Sequence, residues 1–145
     1  MRTILGLFVI GTVLTGCAKD KFTTAPQLTF KSVNTDRLQV GERLQITLSF
    51  TDAEGDISDS IYVEQVPDPD CPSGGGFKAM YKIPSFPTAK NLTGDLLITY
   101  GYRVSPQLRE PLCNFNDTCY FRFMLKDKAQ NKSDTIKTSP IILVK

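Results

Sequence analysis

From Leu28 onward, apolar and polar residues alternate with a period of two. Leu28, Phe30 and Val33 open a first strand. Leu44, Ile46, Leu48 and Phe50 alternate with Gln45, Thr47 and Ser49, the pattern of a half-buried strand with one apolar face. The segment Asp52-Ala53-Glu54-Gly55-Asp56 stops it as a turn. Ile61 and Val63, with Tyr62 and Val66, give a third strand, and Ala79 to Ile83 a short edge strand stopped by Pro84 and Pro87. Leu96, Ile98, Tyr100, Tyr102 and Val104 alternate over a longer run. Cys119, Phe121, Phe123 and Leu125 form the next inward face, with Arg122 and Lys126 outward. Residues 136–144 make the last strand, where Pro140 marks an edge, a bulge or a switch between sheets. Residues 67–77 and 105–118 are irregular loops, and 127–133 a polar turn. No stretch between strands has a helical period. Six to eight short strands with turn punctuation predict an all-β fold, an antiparallel β-sandwich of about seven strands over residues 28–145.

The first seventeen residues, MRTILGLFVIGTVLTGC, follow another rule. Arg2 precedes an apolar run from Ile4 to Leu14 that is too short to span a bilayer, which takes about 20 residues. Gly6 and Gly11 interrupt it, against a core helix. The run suits the apolar region of a signal peptide, and Leu14-Thr15-Gly16-Cys17 resembles the lipobox of bacterial lipoproteins. That resemblance implies removal of residues 1–16 and lipid (palmitate among its acyl chains) on Cys17. It also implies a membrane partner reached through that anchor, and a place in the bacterial cell envelope, at the outer membrane. Residues 17–27 then form the lipidated cysteine and a polar tether.

With Cys17 on lipid, Cys71, Cys113 and Cys119 remain. In an oxidising compartment at most one intrachain disulfide forms and one thiol is left over. Cys113 and Cys119 are near in sequence and meet readily in the unfolded chain, which favours that pair slightly. Cys71 with Cys113 is the alternative, closing a longer loop.

The net charge of +2 comes from 17 basic and 15 acidic residues without clustering, so there is no basic stripe for nucleic acid. Histidine is absent, which removes the commonest general base and any Ser-His pair. The remaining cysteines have no C-x-x-C spacing for disulfide exchange. The expectation is a protein that is not an enzyme.

The strand pattern over residues 28–145 resembles immunoglobulin-like or fibronectin-III-like domains. It departs from antibody domains in having no tryptophan and in carrying Phe121 where a tyrosine corner needs a hydroxyl. Ser49-Phe50-Thr51-Asp52-Ala53-Glu54-Gly55-Asp56-Ile57, the turn from Leu125 to Ser133, and Thr138-Ser139-Pro140-Ile141 are similar to segments of uncharacterised Bacteroidota envelope lipoproteins. In a sandwich of that kind the two acidic turns lie at one end. Asp52, Glu54 and Asp56 would then stand near Asp127 and Asn131, an oxygen set that suits a weak Ca²⁺ site, comparable to the acidic segments of cadherin-like domains. The competing reading is that these residues only build turns. The functional expectation is a lipid-anchored envelope domain with a structural, adhesive or accessory binding role toward a protein or glycan. One alternative is a glycan-binding accessory of a polysaccharide-uptake system, which would use outward-facing tyrosines. An envelope enzyme is the weaker alternative.

Overall fold

The computed structural model describes residues 22–57, 59–71, 76–85 and 87–145. Residues 1–16, expected to be a signal peptide, and Cys17 lie outside them. The described residues contain nine strands and no helix. These are β1 (Gln27–Val33), β2 (Arg37–Leu38), β3 (Arg43–Asp52), β4 (Ser60–Val66), β5 (Phe77–Lys82), β6 (Leu92–Gly101), β7 (Asp117–Lys126), β8 (Ile136–Lys137) and β9 (Ile141–Leu143).

One sheet has the order β1-β3-β6 and the other β2-β9-β7-β4-β5, with β8 also on β7. All pairings are antiparallel except the short β2–β9 pair. Alternation along β3 buries Leu44, Ile46, Leu48 and Phe50, and alternation along β7 buries Cys119, Phe121, Phe123 and Leu125. These two stripes belong to different sheets and share one hydrophobic core. Tyr100 of β6 stacks on Phe121 of β7 with ring centroids 5.7 Å apart, so aromatic packing joins the layers directly.

The strand pattern held for β1, β3, β4, β5 and β7 and needed three corrections. The run expected to reach Val104 ends at Gly101, because the chain bends there, with the Gly101 and Tyr102 amides bonded to Pro106 and Glu42 carbonyls. The expected strand over 136–144 is two short pieces. Both lie on β7, so Pro140 interrupts a strand within one sheet. At the break Thr138 takes over the hydrogen bonding, its hydroxyl accepting from the Phe121 amide at 3.1 Å. The two-residue β2 went unforeseen, being too short to show a period, although Leu38 is fully buried.

The register fixes two ends. β3 finishes, β4 starts and β7 finishes at one end, where Ser60 faces Lys126 and Gln27 faces Thr51. Residues 67–71 and the loop 102–116 lie at the other end, beside the Val66–Tyr120 pair.

Candidate functional site

At the first of these ends, two apolar stripes finish in carboxylates. Asp52 continues the inward face of Leu44, Ile46, Leu48 and Phe50. Asp127, directly after β7, continues that of Phe121, Phe123 and Leu125. Strand alternation therefore aims both side chains inward from facing sheets, and both are fully buried. Asp56, half-buried on the β3–β4 loop, joins them. One carboxylate oxygen from each of Asp52, Asp56 and Asp127 lies within 4.8 Å of the other two.

Local hydrogen bonding shapes the two turns. Asp52 Oδ2 accepts from the Gly55 amide at 2.6 Å and the Asp56 amide at 3.1 Å. Gly55 sits at φ +69° with its α-carbon against the Ala89 carbonyl, where a side chain has no room. Asp127 Oδ1 accepts from the Asn131 amide at 2.7 Å, and its Oδ2 from the Asn131 side-chain amide at 2.9 Å. The Lys128 amide donates to the Asp56 carbonyl at 3.0 Å and ties the two turns together.

These bonds leave part of the cluster unsatisfied. Asp52 Oδ1 and Asp56 Oδ1 are buried and accept no hydrogen bond. A buried polar atom without a partner costs on the order of 1–3 kcal/mol, more when charged. Within 4.8 Å of each other, two charged carboxylate oxygens also repel by on the order of 3 kcal/mol or more at an effective dielectric near 20. Burial raises the Asp52 carboxyl above its ordinary value, the Asp56 and Gly55 amides oppose that, and the charges of Asp56 and Glu54 add to it. Turn formation accounts for Asp52 Oδ2 and for Asp127. It does not account for the convergence of three carboxylates or for the orphaned oxygens. The donor set is that of a hard cation.

Of the other residues singled out in the sequence, Glu54 is exposed and outside the cluster, because the turn at Gly55 points it to solvent. Asn131 stands beside the cluster as a donor to Asp127. The favoured Cys113–Cys119 disulfide is corrected. Cys71 bonds to Cys113, with α-carbons 5.8 Å apart, and Cys119 is free. The reason is strand parity: Cys119 shares the inward face of Phe121 and is buried in the core, away from the loop that holds Cys113. Burial, with the Asp117 charge beside it, pushes its thiol up to about 12. Tyr100 and Tyr102 are buried in the core, and the Tyr120 ring is flanked by Arg122 and Lys137 at 5.5 and 5.8 Å.

Two buried polar residues were missed. Asp117 opens the inward face of β7 at the far end. Its Oδ1 accepts from the Asp68 amide at 3.3 Å while Oδ2 accepts nothing. Its signal was parity with Cys119 and Phe121. Gln65 bonds both backbone groups of Arg109 at 3.1 Å and ties β4 to the second loop. Nothing in its sequence context marks that contact, which spans 44 residues.

No protein-family model matches the chain, and no curated protein does. Among solved structures it is similar to the sporulation control protein Spo0M of Bacillus subtilis, at 13% identity and TM-score 0.50, over 83% of this chain and 50% of that one. It is also similar to the alkylpurine DNA glycosylase AlkC of Pseudomonas fluorescens, at 10% identity and TM-score 0.48, over 84% and 31%. A Niemann-Pick type C2 protein from the Japanese carpenter ant matches at 11% identity and TM-score 0.44, over 91% and 99%. The chain thus spans half or less of the first two. At such identity the likeness to Spo0M is one of fold alone, and the fold shown is all-β, with two sheets on one core.

Proposed function

We propose that this chain is a lipid-anchored protein of the bacterial cell envelope. Its immunoglobulin-like β-sandwich serves as a non-catalytic structural, adhesive or accessory binding domain. The observation that carries the reading is Leu14-Thr15-Gly16-Cys17 after Arg2 and the apolar run. The Cys71–Cys113 disulfide supports it, since such bonds persist in oxidising compartments. The non-catalytic part rests on the absence of histidine from the sequence.

The end away from the tether is the surface on which a partner would be met. The disulfide braces its loops, and Leu112 and Phe115 stand 70% and 50% exposed on them. Bacteria expressing the chain with an alkyne fatty acid should label the wild type and leave Cys17→Ser unlabelled. Wild-type protein that stays unlabelled and keeps residues 1–16 overturns the reading.

A further inference from the structure

The carboxylate cluster carries an inference of its own, whether or not Cys17 bears lipid. We infer that Asp52, Asp56 and Asp127 form a Ca²⁺ site that fastens the β3–β4 turn of one sheet to the β7–β8 turn of the other. Three observations point there together. The three oxygens lie within 4.8 Å of one another. Asp52 is fully buried. Asp52 Oδ1 and Asp56 Oδ1 are buried without a hydrogen-bond partner. A set of turn-building carboxylates would use all its oxygens on amides, as Asp127 does with the backbone and side-chain amides of Asn131.

Coordination chemistry selects among cations. Three oxygens within 4.8 Å of one another can converge on one ion, and Ca²⁺ takes six to eight oxygens at about 2.3–2.6 Å in a flexible shell. Mg²⁺ demands a near-ideal octahedron at about 2.0–2.1 Å and gives up its water reluctantly, so two buried carboxylates and one half-buried one suit it less well. The cluster brings three carboxylates to a divalent ion, and water would complete a coordination shell of six to eight oxygens. Because the ligands come from facing sheets, a bound ion acts as a clamp, and binding is read as stability.

The test uses the full chain in detergent. In about 10 mM CaCl₂ the melting temperature should lie on the order of 5 °C above that in EDTA, given the submillimolar-to-millimolar affinity of extracellular Ca²⁺ modules. Asp56→Asn and Asp52→Asn should each abolish the shift, and each should melt higher than the wild type in EDTA, because repulsion is relieved. Glu54→Gln, outside the cluster, should keep the shift, and MgCl₂ should give a smaller one. Calorimetric titration of wild-type protein with CaCl₂ reads the site without any variant, should Asp52→Asn fail to fold. Equal melting in EDTA and CaCl₂ with no heat of binding overturns the inference. So does a Ca²⁺ shift that survives both asparagine variants, or an equal response to Mg²⁺.

Discussion

Asp52 and Asp117 show what strand parity does to single residues. Each sits at an end of an inward apolar stripe, so each is fully buried with one oxygen unsatisfied. Burial raises both carboxyls above the ordinary value of 3.8. A carboxyl with a raised folded-state value binds its proton more tightly in the native state. Its contribution to stability is full below the unfolded value and is lost as pH rises through the folded one. In EDTA the protein should therefore gain stability as pH falls from neutrality toward the carboxylate range, read as a rising urea midpoint. Asp59 and Asp95 act in the opposite direction. Hydrogen bonds from Ser60 and from Lys31 lower their carboxyls, so their contributions disappear only at still lower pH. Asp52→Asn and Asp117→Asn should each flatten the rise. The parity that buries these carboxylates is readable in the sequence. The depth of burial is not, because it depends on the sheet that closes over them.

At the scale of elements, β3 and β7 were legible because ten-residue strands with a clean alternation leave one face for the core. The failures came where the period is too short to read or where a loop decides. β2 has two residues, and β8 and β9 are short pieces on either side of Pro140. The disulfide turned on the same distinction. Nearness along the chain favoured Cys113 with Cys119, but β7 carries Cys119 inward, and Cys113 on the β6–β7 loop meets Cys71 on the β4–β5 loop. That bond spans 42 residues, so Cys71→Ser/Cys113→Ser should cost about 4 kcal/mol in urea unfolding by the loop-entropy relation. In the same experiment the native wild type should leave Cys119 untouched by a thiol reagent and expose it on unfolding, as expected for a buried thiol with its value pushed up to about 12.

At the scale of the whole molecule, the two ends differ in chemistry. The carboxylate cluster and the start of β1 share one end, and the disulfide-braced loops occupy the other, about 30 Å away along a ten-residue strand. The Thr23 carbonyl already accepts from the Ala53 amide at 3.2 Å, so if Cys17 carries the proposed lipid, only the six steps from Cys17 to Thr23, about 20 Å when extended, separate it from the domain. On the lipid-anchored reading the cluster faces the bilayer. A donor dye at Lys128→Cys should then transfer energy to labelled headgroups more efficiently than one at Val40→Cys. Equal transfer would mean that the long axis lies along the membrane.

The opposite exits of the terminal strands have a mechanical consequence. β1 enters at the cluster end and lies antiparallel along β3, while β9 runs out at the far end beside the first residues of β7. On the lipid-anchored reading, tension between a fixed N-terminus and a partner gripping the far loops would pull these strands along their own axes. Hydrogen bonds perpendicular to the strands then share the load instead of opening one after another. Shear of this kind is what an antiparallel sheet resists best, and a cation bridging Asp52 and Asp127 would stand at the point where the force enters the core.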